Sequence, residues 1–359
     1  MDREKEVLES ALKLLREEIA PKANEIDMHP EALRSALHSL CTHELMALRR
    51  PAKYGGPGFS EESFRAFQEA VARYSGSLAF LQTQHQSAVS MISKSDNEEL
   101  KDDYLPKMAN GERLVGIGFS QLRRKGEPQM KATRVKGGYV LNGHVPWVTG
   151  WSFYPEFLIG ATLPDGTAVF GVVPLVHTDK DAGKITLSEP MRLAAMESPM
   201  TVTADLTNWH LPDKLVAFVK PSGWIQNNDL INIALQGHFA LGCARAGLDI
   251  VEAAGRKKDL PLVIKAYEKL SKELEECREA TTKAQATADE ETTAERLKLR
   301  AWAIDLAVRC AHAAVAASSG AANSINHPAQ RVYREALVYT VSAQTVPIME
   351  ATLERIVGR

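Results

Sequence analysis

The chain has 359 residues, 45% of them hydrophobic and 25% charged, with a net charge of −2. That length suits two or three domains with a large core, and the charge balance offers no basic field to recruit nucleic acid or an anionic membrane. No apolar run approaches a transmembrane span, and the acidic start MDREKEVLES suits neither a secretory signal nor an Arg-rich transit peptide. Cys41, Cys243, Cys277 and Cys310 form no C-x-x-C pair, so a cytoplasmic protein with reduced structural thiols is expected.

Apolar residues at helical spacing open the chain. Leu8, Leu12, Leu15 and Ile19 step by four, three and four, which predicts a helix that Pro21 ends. A second helix is predicted from Pro30 to His43, with Leu33, Leu37 and Leu40 on one face. A glycine-rich loop from Tyr54 to Ser60 breaks the pattern, and helices are expected again at 61–74, 77–93 and 98–108. Residues 1–113 thus read as an all-α domain.

From Leu114 the period changes from 3.6 to 2. Val115 to Phe119 is an apolar strand ending on Ser120, and the basic loop Arg123-Arg124-Lys125 follows. Gly137-Gly138 and Asn142-Gly143 predict two hairpin turns, because such pairs supply positive φ. The second hairpin would deliver Pro146, Trp147, Val148, Thr149 and Gly150. An indole beside a hydroxyl suits the buried core of a β-sandwich, and it also suits a planar, polar-edged ligand such as a flavin. Strands at 157–162 and 168–173 flank the turn Pro164-Asp165-Gly166, and Thr201 to Leu206 reads as another strand. Residues 114–218 are expected to form a small antiparallel sandwich or barrel.

Residues 219–359 return to the helical period. A helix at 231–254 carries Gly237, Gly242 and Gly247, small surfaces where another helix can approach closely. A charged helix at 262–283 and a polar turn at 285–293 follow. Leu297, Ala301, Ile304, Val308, Ala311 and Val315 then keep a three-four spacing, with Gly320 as the expected cap. A last helix covers 346–357, with Pro347 in its first turn. The expected architecture is α+β and multi-domain: an N-terminal all-α domain, a middle antiparallel β-sandwich or barrel, and a C-terminal four-helix bundle.

Several ordered motifs resemble those of the acyl-CoA dehydrogenase superfamily. Residues 51–58, PAKYGGPG, are similar to its P-x-x-Y-G-G-x-G loop. Leu105-Pro106 with Asn110-Gly111-Glu112 resembles the segment leading into its sheet. Ser120 and Trp147-Val148-Thr149 resemble the hydroxyl and the W-[IVL]-[ST] element that hold the isoalloxazine of FAD. Residues 331–336, RVYREA, resemble its R-x-x-R-D-A element. The resemblance implies FAD, with FMN or a reduced flavin as the alternative, bound by Phe119, Ser120, Trp147, Val148, Thr149, Gly320 and Thr345. It also implies a small-molecule substrate such as an acyl-CoA, and a homo-oligomer, dimer or tetramer, with sites shared between subunits.

Departures from the family pattern accompany it. An R-x-[TS]-F-G loop is replaced by residues 255–261, GRKKDLP, where Arg256 is a partial substitute. The glycine turn keeps only Gly320, for which a plain helix cap is an equal reading. Arg123-Arg124-Lys125 replaces an acidic segment, and suits either the phosphates of CoA or FAD or a solvated turn. The E-G-T motif, whose Glu takes the α-proton of an acyl thioester, aligns with Ala343-Gln344-Thr345. The alternative Glu position falls on Asn232. Glu350, Asp229, His85 and His238 are the substitutes to weigh, each also readable as a surface charge or a hydrogen-bonded structural residue. Three functions follow from this pattern. One is an FAD-dependent oxidoreductase acting on the CH–CH group of an acyl thioester without the usual Glu. The others are a flavin monooxygenase or oxidase on the same scaffold, and a non-catalytic binding or assembly protein.

Overall fold

The computed structural model describes residues 2–286 and 292–358. Helix α1 (Asp2–Leu14) runs through a π turn (Leu15–Ile19) and a 3-10 turn (Ala20–Lys22) into α2 (Ala23–Met28). Pro21 therefore does not end the helical path. It sits in the first turn of the 3-10 segment, where a missing N–H breaks no ladder. Helices α3 (Pro30–Thr42), α4 (Glu61–Tyr74), α5 (Gly76–Ser93) and α6 (Glu98–Tyr104) complete the all-α domain. Ser60 and Ser75 start α4 and α5, their side chains accepting from the N–H groups of Ser63 and Leu78. The helix expected to reach Met108 gives way at Leu105–Lys107 to a 3-10 turn holding Pro106.

The middle of the chain is one hydrogen-bonded sheet. Its strands are β1 (Val115–Gly118), β2 (Met130–Val135), β3 (Gly138–Thr149), β4 (Glu156–Thr162), β5 (Ala168–Pro174), β6 (Thr178–Lys180), β7 (Gly183–Leu187), β8 (Thr201–Pro212) and β9 (Val216–Lys220). They lie in the order β6-β7-β8-β3-β2-β4-β5-β9, with β1 beside β4. Pairing is antiparallel except for β1 with β4 and one bridge between β2 and β4. The turn from β2 to β3 falls on Lys136-Gly137, one residue before the expected Gly137-Gly138 pair, because Gly138 is already paired with Val135, and Gly137 supplies the positive φ of 81°. Asn142-Gly143 makes no second hairpin, because both residues lie inside β3, at a register shift against β8. Gly143 has φ of 137°, and a Cβ there would come 2.0 Å from the Gln129 carbonyl, which accepts the His144 N–H. This glycine serves a bulge and a close backbone approach rather than a turn.

Helices α7 (Trp224–Asn232), α8 (Gly237–Lys258), α9 (Pro261–Ala286), α10 (Thr293–Ser318), α11 (Pro328–Val341) and α12 (Val346–Val357) close the chain. The single helix expected at 231–254 is interrupted at 233–236, between α7 and α8. Two of its glycines do admit neighbours. A Cβ at Gly242 would lie 2.2 Å from the Glu69 carbonyl of α4, and one at Gly247 would lie 2.7 Å from the Cys310 carbonyl of α10. Ser319, with φ of 57° and its N–H donated to the Ala316 carbonyl, takes the cap position after α10 that Gly320 was expected to take. Residues 287–291 of the expected polar turn lie outside the described residues. The four cysteines are buried and free. Among the described residues, no helix is long and apolar enough to cross a membrane.

The N-terminal helices are fastened to the bundle through a buried carboxylate. Glu335 on α11 is fully buried, pairs with Arg331 at 2.9 Å, and accepts the Gly76 N–H at the start of α5 at 3.0 Å. Beside it Arg334 pairs with buried Asp27 at 2.7 Å. Burial raises the Glu335 carboxyl above its ordinary range, while Arg331 opposes this.

Candidate functional site

Gly118, at the end of β1, packs where no side chain would fit. A Cβ there would come 2.8 Å from the Phe157 ring and 3.0 Å from Val148 Cγ2. This approach brings the end of β1, which leads into Phe119 and Ser120, against Val148 of β3. Ser120 opens a 3-10 turn reaching Arg123. Its hydroxyl is half-buried and has no hydrogen-bond partner among the described residues. A second register shift between β3 and β8, from Val145 to Val148, is a bulge that turns Trp147 outward, 40% exposed. Trp147 is therefore not a core residue of the sheet.

Thr149 is placed differently. It is 1% exposed, and its hydroxyl lies 3.0 Å from Thr201 Oγ1, so its side chain is engaged within the sheet. Phe119 packs edge-on against Phe170 at 5.7 Å. Thr345 stands before α12 and makes no capping bond. Gly320 is exposed, with nothing within 4 Å of where a Cβ would be. Near it, Lys258 Nζ donates to the Ala317 carbonyl at 2.7 Å and to Ser319 Oγ at 3.1 Å. Arg256 is bound to Glu252 on its own helix.

A cavity of about 200 Å³ opens beyond the β1 turn, between residues 121–130, the β4–β5 turn and the start of α7. Gln121 lines it, 3% exposed, donating to the Gly160 carbonyl at 2.8 Å and leaving its Oε1 without a partner. Gln129 presents a second unpartnered Oε1. Buried acceptors without donors are unfavourable, and a ligand carrying N–H or O–H groups would satisfy both. Sequence reasoning does not single out Gln121, since its role depends on a carbonyl 39 residues away. The basic loop divides here. Arg123 binds Asp229 of α7 through two hydrogen bonds of 2.6 and 2.7 Å, whereas Arg124 is exposed and lines the cavity.

Ala343 lies in the turn between α11 and α12, exposed and at φ of 50°. Asn232 ends α7 with its amide donating to the Asn228 carbonyl at 2.7 Å. Asp229 is held by Arg123, and Glu350 is exposed on α12. Buried His238 lies 3.3 Å from Glu69, which Arg278 also binds. His85 is fully buried. Its Nδ1 accepts the Val115 N–H at 2.9 Å and its Nε2 donates to the Met108 carbonyl at 2.9 Å. Both histidines fasten elements together.

The family model of the acyl-CoA dehydrogenase N-terminal domain matches residues 1–112. The probable acyl-CoA dehydrogenase YngJ of Bacillus subtilis is 22% identical over 95% of this chain and 94% of its own. The N-terminal third of the chain thus matches the N-terminal domain of the acyl-CoA dehydrogenase family, and nearly its whole length is similar to an acyl-CoA dehydrogenase. Isovaleryl-CoA dehydrogenase of Pongo abelii is 27% identical over 154 residues, which are 41% of this chain and only 36% of that relative. Among solved structures, butyryl-CoA dehydrogenase of Megasphaera elsdenii superposes with a TM-score of 0.81 at 18% identity, covering 99% of this chain and 98% of that one. At that identity it is the fold that is shared: helical region, sheet domain and helical domain.

Burial pushes the His85 pKa from its ordinary 6.5 down to about 4. The unfolded chain therefore binds this proton first as pH falls. The group contributes no pH dependence above about pH 7, and it lowers stability on the order of 3 kcal/mol as pH drops from 6.5 to about 4. An NMR titration of the His85 ring is expected to give a midpoint near 4, and a midpoint near 6.5 would contradict this placement.

Proposed function

We propose that the chain is a flavin-dependent oxidoreductase of the acyl-CoA dehydrogenase type, with FAD as its flavin and an acyl thioester or similar compound as its substrate class. The observation that carries this reading is Trp147. A bulge exposes its indole at the end of β3, the strand against which the end of β1 packs just before the unpartnered hydroxyl of Ser120. A ring face to stack on and a hydroxyl for an edge suit an isoalloxazine. The fit is partial: the Thr149 hydroxyl is bound to Thr201, which leaves main-chain groups of residues 119, 120 and 149 to serve the ring's edge. When bound, the flavin supplies the hydride-accepting centre. The chain's own part is to stack the ring, hold its edge and present the substrate.

The cavity beside Gln121 supports the substrate side. Its two unpartnered acceptors suit amide N–H groups such as those of a pantetheine arm, and Arg124 suits a phosphate. An oligomer belongs to the same reading. Tyr333, Leu337 and Val341 at i, i+4 and i+8 on α11, with Leu353, Ile356 and Val357 on α12, expose apolar surface that a dimer or tetramer would bury. Gly320 would then meet a flavin only from a neighbouring subunit.

The base is the departure. Neither Ala343 nor Asn232 can take a proton from carbon, and Asp229 is engaged by Arg123. This favours, as a second reading, a flavin monooxygenase or oxidase on the same scaffold, which needs no carboxylate at those positions.

Trp147→Ala and Ser120→Ala are each expected to weaken FAD binding at least a few-fold, since stacking on an aromatic contributes on the order of 1 kcal/mol. Fluorescence titration reads this, and unchanged affinity with the fold intact would place the ring elsewhere. General-base assistance contributes about 10²–10⁴-fold. Reduction of the FAD-loaded protein by saturated acyl-CoAs is therefore expected to be slow in stopped flow, and Ala343→Glu to speed it. Rapid reduction of the unmodified protein would refute the missing base and make Glu350 the first residue to test.

A further inference from the structure

We propose that a pocket between the 51–58 loop and the C-terminal end of α5 binds a phosphate monoester with a compact apolar body. The cavity measures about 390 Å³, and Arg49, Arg50, Pro51, Phe59, Ser93 and Lys94 are among the residues lining it. It lies within the N-terminal helical domain, and the flavin reading makes no use of it.

Arg50 carries the argument. It is 7% exposed and has no carboxylate partner among the described residues. Its Nη1 donates to the Leu105 and Pro106 carbonyls at 3.3 and 3.2 Å, and its Nη2 to the Gly55 carbonyl at 3.0 Å. Its Nε has no partner. Three carbonyls hold the guanidinium in position without neutralising it. Glu44 attracts it only through space, and burial pushes its pKa below the ordinary range. A buried cation without a counter-ion is unfavourable, and an anion in the cavity would remove that penalty.

The other groups agree in chemistry. Ser93 Oγ is buried and unpartnered, and Lys94 is exposed with no ion pair among the described residues. Arg49 is engaged by Glu61 and lies over the Phe64 ring at 5.0 Å. No carboxylate is among the residues lining the cavity. Two cations without ion-pair partners and a free hydroxyl match a doubly charged oxyanion better than a carboxylate. Phe59, Pro51 and Ala52 add an apolar wall, and the volume exceeds what a bare phosphate fills.

The glycines of the loop explain its shape. A Cβ at Gly56 would fall 1.6 Å from the Arg50 carbonyl, so the loop closes over the arginine backbone only with glycine there. Gly58, at φ of 74°, has nothing within 4 Å of a Cβ and leaves that side of the pocket open.

Calorimetric titration of the full chain with phenyl phosphate, inorganic phosphate and benzyl alcohol tests the proposal. Phenyl phosphate is expected to bind saturably with one site and more tightly than inorganic phosphate, while benzyl alcohol gives no saturable heat. Because Arg50 also ties down the loop, Lys94→Glu and Ser93→Ala are the decisive variants. With circular dichroism unchanged, Lys94→Glu should weaken phenyl phosphate about ten-fold or more and Ser93→Ala a few-fold. Trp147→Ala should bind it as the unmodified chain does, and loss of binding there would assign the anion to the flavin site and overturn the proposal. Absence of saturable binding at millimolar phenyl phosphate, or equal binding by both pocket variants, would overturn it as well.

Discussion

The candidate site depends on one steric constraint: three glycines where β1 meets the sheet let backbone and rings pack closer than a side chain would comfortably allow. A Cβ at Gly116 would come 3.1 Å from the Tyr154 ring, one at Gly118 2.8 Å from Phe157, and one at Gly160 2.7 Å from Leu122. Close backbone approach brings the turn after β1 against β3 and β4. From it follow the contact of the β1 end with Val148, the bond from Gln121 to Gly160, and the cavity beyond. A side chain at Gly118 would have to displace the Phe157 ring and with it the end of β1 that leads into the turn.

The surrounding helices hold that arrangement by a different physics. Glu335 and Arg331 are buried together, and Glu335 reaches the first N–H of α5, while Arg73 of α4 grips Asp249 of α8 at 2.8 Å. The buried Glu335–Arg331 pair contributes little net stability over apolar packing but penalises any other docking, because a displaced partner leaves a buried charge alone, whereas the part-exposed Arg73–Asp249 pair adds only register. The same logic distinguishes Arg50. Its hydrogen bonds fix its position, yet its charge has no partner among the described residues, and a charge held without neutralisation is better explained by a ligand than by the fold.

Much of the architecture is legible in the sequence because it is carried by periodicity. The apolar stripe of α3, the hairpin of β4 and β5, and the three-four spacing of α10 all emerge from residue type alone. The misplacements share one cause, tertiary contact overriding a local signal. Asn142-Gly143 has the composition of a turn, but its glycine is required by the Gln129 carbonyl. Pro21 has the composition of a stop, but the chain continues helically around it. Within the site, the sequence marks Ser120 and Trp147, whereas the bulge that exposes Trp147 depends on its register with β8. The engagement of Thr149 depends on Thr201, 52 residues distant. Gln121 and Arg50 carry no sequence signal, since their significance lies in atoms that nothing else satisfies.

The bulge in β3 exposes an indole face and the end of β1 leads into a free hydroxyl, in a fold shared along nearly the whole chain with butyryl-CoA dehydrogenase. The most direct test is a difference absorption spectrum of the purified chain titrated with FAD. The account predicts a saturable perturbation of the visible flavin bands, as the ring leaves water and meets an indole. A spectrum equal to the sum of free FAD and protein at every concentration would contradict it.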